Sequence, residues 1–392
     1  MDRAAHVVLL VIDGLGVGAL PDAAAYGDED ASTLLHVAER THLRVPNIDR
    51  LGLGRVQPGP GLGADPVGAY GRMAEVSAGK DSMTGHWELV GIVTERPFET
   101  YPNGFPAEVL SRLEDSIGMP VLGNVVASGT EVLERFGEQA WLSGCPIVYT
   151  SADSVFQIAA HTDHTPPDML YGWCEFLRML MGDSVARIIA RPFTGTPGAF
   201  HRIDHGRRDF PVPLPGGSVL ELAFHAGVRT VGIGKVRDLF PGHPFDDVTG
   251  PGRDEKAMLA LAERVREGSP GLTLANVGDL DSKYGHRNDP HGWAVAFHEL
   301  DDRLRMVLEL LGDDDVLIVT GDHGNDPTTP GTDHTREYVP VLACSGAGWR
   351  SGGPAQSVGE RETFADVAAT IAELLDLDPD TIPGTSFAPD VP

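Results

Sequence analysis

The sequence is poor in the features that mark secreted, membrane and nucleic-acid-binding proteins. Only three cysteines occur in 392 residues, Cys145, Cys174 and Cys344. They are odd in number and far apart, which argues against a disulfide framework and fits a reducing, cytoplasmic setting. Basic residues are scarce, 30 Lys and Arg against 57 Asp and Glu, for a formal net charge of −27. Nucleic acid and anionic membrane both need basic surface, so neither is an expected partner. No stretch approaches the ~18 apolar residues of a membrane span. The N-terminal apolar run stops at Asp13, too short for a signal h-region with a cleavage site. What remains is an ordinary globular composition, 41% hydrophobic and 22% charged. At about 100–200 residues per domain the length predicts two or three domains.

Two proline- and glycine-rich stretches divide the chain. Pro97, Pro102 and Pro106 punctuate the first, and the second runs from Pro211 to Gly217 as PVPLPGG, as an interdomain linker should. Between them the pattern gives a helix opening at Pro106, a strand over 147–150, an apolar helix over 169–181 and a strand over 185–190. This segment has its own apolar pattern, so residues 97–213 are expected to form an inserted α/β cap domain. Residues 1–96 and 214–392 are expected to form the core. From 218 onward helices 219–226, 254–267, 292–311 and 362–376 alternate with strands 228–233, 272–277, 316–320 and 339–343. Helix 292–311 carries Trp293, Phe297, Leu300, Leu304 and Leu308 at 3.6-residue spacing. Such alternation predicts an α/β fold with a mostly parallel sheet. Ahead of it, 7–12 reads as a strand, 47–52 as a short helix stopped by glycine, and Gln57 to Gly68 as a surface loop.

Three of the apolar strands end in acids. His6 to Ile12 runs into Asp13, Leu272 to Val277 leads to Asp279, Asp281 and His286, and Asp315 to Val319 leads to Asp322 and His323. Parallel strands present their chemistry just past their C-terminal ends. The loop after the last strand, TGDHGNDPTTPGTDHTREYVP, holds a second Asp-His pair, Asp333 and His334, and its glycines and prolines let His334 fold back beside His323. Carboxylate and imidazole together suit Zn²⁺, Mn²⁺ or Fe²⁺. A fourth stretch, Gly79 to Trp87, mixes hydroxyls with Lys80 in a strand-to-helix turn that could present a nucleophile. Each feature has a plainer reading: Asp13 as a helix N-cap, Thr84 as a capping hydroxyl, Asp281 and His286 as surface polars. The combination favours a metal site.

Taken together, Val11-Ile12-Asp13, GKDSMTGHWE from Gly79, Asp281 with Gly285-His286-Arg287, DHGND from Asp322 and PGTDHTREYVP from Pro330 closely resemble the phosphopentomutases of the alkaline phosphatase superfamily. The resemblance spans nearly the whole chain, from Asp13 to Phe387. It implies an alkaline-phosphatase-like core and two divalent metals, usually Mn²⁺. Asp13, Asp322 and His323 would bind one metal, Asp281, His286 and His334 the other, with Thr84 as the nucleophile between them. It further implies interconversion of α-D-ribose 1-phosphate and D-ribose 5-phosphate, and of the 2-deoxyribose equivalents, in nucleoside salvage. Phospho-Thr84 would donate to the sugar phosphate, the pentose 1,5-bisphosphate would reorient, and a sugar 1,6- or 1,5-bisphosphate would prime the enzyme.

A mutase must keep water from the phosphoenzyme, which gives a closing cap its rationale. Asp153, Arg191 and Lys235 are the candidate substrate contacts, with Lys80 and Arg336 of similar standing. A phosphatase or other phosphomutase of the superfamily would share the metal set. A non-catalytic, metal-stabilised binding protein would need Thr84→Ala to leave every activity unchanged.

Overall fold

The computed structural model describes residues 4–151 and 154–392, so the candidate Asp153 lies outside the described residues. The chain divides into two compact units, one of residues 1–97 with 214–392, the other of residues 98–213.

The larger unit is built on an eight-stranded sheet. Its strands lie in the order Asp247–Thr249, Thr230–Ile233, Gly271–Val277, His6–Ile12, Val316–Thr320, Val339–Ser345, Gly68–Met73 and Ala355–Arg361. Only Val339–Ser345 is reversed, pairing antiparallel with both its neighbours. The fold is therefore α/β with a mostly parallel sheet. The three acid-ending strands are consecutive in space. His6–Ile12 is central, paired in parallel with Gly271–Val277 on one side and Val316–Thr320 on the other, with Ile12 opposite Val277 and Val11 opposite Thr320. All three are buried along their whole length, which is why they read as unbroken apolar runs. Helix Pro290–Leu310 buries Trp293, Phe297, Leu300, Leu304, Val307 and Leu308. They join Leu10, Ile12, Leu317 and Val319 in one core.

The smaller unit has a six-stranded mixed sheet, Leu122–Val126, Ile147–Thr150, Val155–His161, Arg187–Thr194 and His201–Arg202, with Arg208–Pro211 also on Arg187–Thr194. Alternate residues of Val155–His161 face opposite ways. Phe156 and Ile158 pack with Leu170, Cys174 and Leu177 of helix Pro167–Met181, whereas Ala159 packs with Val132 and Leu133 of helix Gly129–Ser143.

Several elements depart from the sequence reading. The loop expected through Gly68 ends where strand Gly68–Met73 begins, and Leu122–Val126, Val155–His161 and Ala355–Arg361 are further strands. All three cysteines are buried and free. Among the described residues no helix is long and apolar enough to cross a membrane.

Candidate metal centre

The shared direction of the three central strands delivers their acids to one place. Asp13 leaves the end of its strand with its backbone N–H donating to Val277 O at 2.9 Å. The loop after Thr320 doubles back through paired backbone bonds between Gly324 and Thr335, at 3.0 and 2.8 Å. That fold brings the His334 ring centre to 4.0 Å from that of His323 and 4.7 Å from that of His286, tilted against both. Two groups result. Asp281, His286 and His334 each offer a ligand atom within 4.8 Å of the others, as do Asp13, Asp281 and His323. Asp281 reaches both. Asp322 stands beside the second group, its Oδ2 3.3 Å from His323 Nε2, which is also 3.4 Å from Asp13 Oδ1.

The donor set fits divalent cations. His323 Nδ1 lies 3.0 Å from Gly324 O and His286 Nδ1 2.6 Å from Thr332 O. Each ring thus turns Nε2 inward, the arrangement typical of metal-binding histidines. Asp322 Oδ2 is buried with no hydrogen-bond partner, a cost that a bound cation would remove. Burial alone would push the His323 pKa down, but Asp322, Asp13 and Asp281 outweigh it and hold it well above the usual imidazole range. Burial likewise opposes Asp13 and Asp281 as anions. Lys235 and His323 outweigh it at Asp13, and His286 and His334 at Asp281, so both carboxyls sit low. Three carboxylates beside three imidazoles offer the mixed oxygen and nitrogen donors that divalent cations take.

The hydroxyl that faces this cluster is not the one expected. Helix Ser82–Leu89 opens with Asp81 as N-cap, whose carboxylate accepts from the N–H groups of Met83 and Thr84. Thr84 Oγ1 sits within the same first turn, donating to Asp81 O at 3.0 Å and accepting from Asp81 N at 3.4 Å. Thr84 is therefore tied up as half of a capping box. Ser82, one residue into the helix, instead places Oγ 3.1 Å from His323 Nε2 and 3.4 Å from Asp13 Oδ1. The helix can approach so closely because residue 85 is glycine: a Cβ there would fall 2.1 Å from Asp322 O.

Lys235, by contrast, does reach the cluster, with Nζ 3.5 Å from Asp13 Oδ2, whose charge raises its pKa. Arg336 is turned away into a buried clamp on Glu75, Ser77 O and Gly79 O. Lys80 bonds Asp28 at 2.9 Å. Arg191 lies in the smaller unit, on strand Arg187–Thr194, with its buried Nε unpartnered and its pKa lowered by burial. Sequence reasoning missed Ser82, as well as two amides that hold carboxylates: Asn276 Nδ2 donates to Asp13 Oδ2 at 3.2 Å and Asn325 Nδ2 to Asp281 Oδ1 at 2.6 Å.

The fold and this cluster define a metalloenzyme, and residues 221–379 match the model of the metalloenzyme superfamily. The phosphopentomutase of Caldanaerobacter subterraneus subsp. tengcongensis is 47% identical over 391 residues, covering 99% of this chain and 98% of that one. The phosphopentomutase of Dictyoglomus turgidum is 47% identical over 394 residues, covering 97% of each. The chain belongs to the phosphopentomutase family. It is an enzyme of the isomerase class that transfers phosphoryl groups and uses divalent metal.

Proposed function

We propose that this enzyme interconverts α-D-ribose 1-phosphate and D-ribose 5-phosphate, and the 2-deoxyribose pair, by way of a phosphoserine at Ser82 and a pentose 1,5-bisphosphate. The observation that carries the reading is the Ser82 hydroxyl at 3.1 Å from His323 and 3.4 Å from Asp13. Family membership supplies the substrate class.

Asp13, Asp322 and His323 would hold one cation, and Asp281, His286 and His334 the other, with Mn²⁺ suited to such mixed oxygen and nitrogen donors. Bound there, divalent cations would supply the positive charge that stabilises the oxygens of a transferring phosphoryl group. The Ser82 Oγ–P bond breaks as the free hydroxyl of the sugar phosphate takes the phosphoryl group, and the proton of that hydroxyl ends on the Ser82 Oγ left behind. The 1,5-bisphosphate turns round, and Ser82 takes the other phosphate, which leaves the isomer. A sugar bisphosphate primes the resting enzyme. Lys235, beside Asp13, would counter the charge of the incoming phosphate. Arg191 and Asp153 of the 98–213 unit are proposed to serve the distal phosphate and sugar, and that unit to exclude water as a cap. The activity would serve pentose phosphate and nucleoside salvage in the cytoplasm.

Ser82→Ala tests the reading. It is expected to fold, to bind Mn²⁺ and to convert no ribose 1-phosphate even with added glucose 1,6-bisphosphate. Turnover in that variant at a tenth of the parent rate or more would overturn the phosphoserine step.

A further inference from the structure

Beside the cluster one further imidazole, outside both ligand groups, touches the Ser82 backbone and the Asp322 carboxylate and reaches Asp13 through an amide. His86 is buried, 2% exposed, with its edge toward Phe240. Its Nδ1 lies 2.8 Å from Ser82 O and 3.0 Å from Asp322 Oδ2. Its Nε2 lies 3.2 Å from Asn276 Nδ2, which also reaches Asp13 Oδ2 at 3.2 Å. The amide nitrogen can only donate, so Nε2 accepts and the ring proton sits on Nδ1. That proton has one well-directed acceptor, the Ser82 carbonyl. Asp322 Oδ2 is in contact with the ring yet makes no hydrogen bond, which keeps its lone pairs free.

We infer that His86 is a positioning residue. Through one tautomer it fixes the backbone of the phosphoryl-carrying residue, and through Asn276 it fixes the Asp13 carboxylate, while its ring edge sets where Asp322 points. No substrate atom need touch it. The inference rests on the reading of Asp13 and Asp322 as cation ligands. It adds that their spacing is set by a group outside the ligand set, four residues after the hydroxyl and on the same helix. Groups that orient metal ligands in this way are commonly worth about 10–100-fold in metal affinity.

Calorimetric titration of chelator-treated protein with Mn²⁺, without substrate, provides the test, with a melting curve run on each variant. His86→Leu removes both ring contacts and is expected to weaken Mn²⁺ binding at one site at least tenfold. His86→Asn keeps a side-chain N–H close to where Nδ1–H sits, and is expected to recover most of that loss. Asn276→Leu, from the other end of the chain, should weaken the same site, and adding it to His86→Leu should cost little more. Should His86→Leu not fold, His86→Asn and Asn276→Leu carry the comparison alone. Unchanged affinity in a folded His86→Leu or in Asn276→Leu would overturn the inference, as would equal losses in the Leu and Asn variants of His86. Asp322→Ala serves as the control: if it too leaves Mn²⁺ binding unchanged, the ligand reading has failed, not the inference about His86.

Discussion

Ser82 and Thr84 stand two residues apart on one helical turn, and their hydroxyls are bound to different things. Thr84 belongs to the helix cap, so Thr84→Ala is expected to cost about 0.5–2 kcal/mol of stability, the usual worth of a cap. Phosphoryl transfer should largely persist at moderate temperature. Measuring the unfolding midpoint and ribose 1-phosphate turnover on the same variant checks this, and complete loss of turnover in a folded protein would contradict it. Asp254 makes a second case at this scale. Its Oδ1 accepts from the N–H groups of Gly278 and Asp279, but its Oδ2 is buried without a partner. Burial first, and the Asp279 charge second, push its carboxyl up to about 6. The folded value thus exceeds the unfolded one of about 3.9. Its contribution is fully present below pH 3.9 and is lost as pH rises through about 6. At about 1.4 kcal/mol per unit the loss amounts to about 2–3 kcal/mol. Asp254→Asn keeps an oxygen acceptor and cannot ionise. Urea unfolding should find its stability relative to the parent greater at pH 8 than at pH 4.5, and a difference independent of pH would reject ionisation as the cause.

At the scale of elements, the loop bearing His334 and the loop leading to Ser82 are joined by Arg336. Its guanidinium, 3% exposed with its residue, donates to Glu75 Oε2, Ser77 O, Gly79 O, Glu75 O and Asp22 Oδ2 between 2.6 and 3.0 Å. A lysine has three donors and no planar fork, so Arg336→Lys cannot satisfy this set. The expected result is a fall in kcat with KM nearly unchanged, because the hydroxyl is misplaced and not the substrate. A rise in KM alone would make Arg336 a substrate contact. Much of this scale was legible in the sequence. The three acid-ending strands announce themselves because strands buried on both faces must be apolar throughout. Strand Gly68–Met73 does not, since it carries two glycines and its Tyr70 and Arg72 are only half-buried. Leu122–Val126 bends at Gly123 and Asn124, both at positive φ, and loses its alternation there. That these acids and imidazoles gather in one cluster was legible from residue chemistry and strand position. The hydroxyl was not, because a serine and a threonine two residues apart differ only in direction, and direction depends on where the helix starts. The Asp81 to Thr84 spacing was the available signal, being that of a capping pair. Asn276 gave none, since an amide at a strand end has many uses.

At the scale of the whole molecule, the two units have separate cores. The proposed cation ligands, Asp13, Asp281, His286, Asp322, His323 and His334, all belong to the larger one. Binding to the folded state alone raises stability by mass action, so Mn²⁺ should raise the unfolding temperature of the larger unit and a chelator should lower it. Residues 98–213, expressed alone, should fold and melt at a temperature that neither reagent changes. A Mn²⁺-dependent shift in that fragment would contradict the assignment of all the ligands to the larger unit. The central claim is that Ser82 carries the phosphoryl group, and intact mass after incubation with Mn²⁺ and glucose 1,6-bisphosphate tests it most directly, followed by mapping of the modified peptide. The account predicts a gain of one phosphoryl group, located on Ser82 and absent from Ser82→Ala. A phosphoryl group on Thr84, or none on a fully active enzyme, would contradict it.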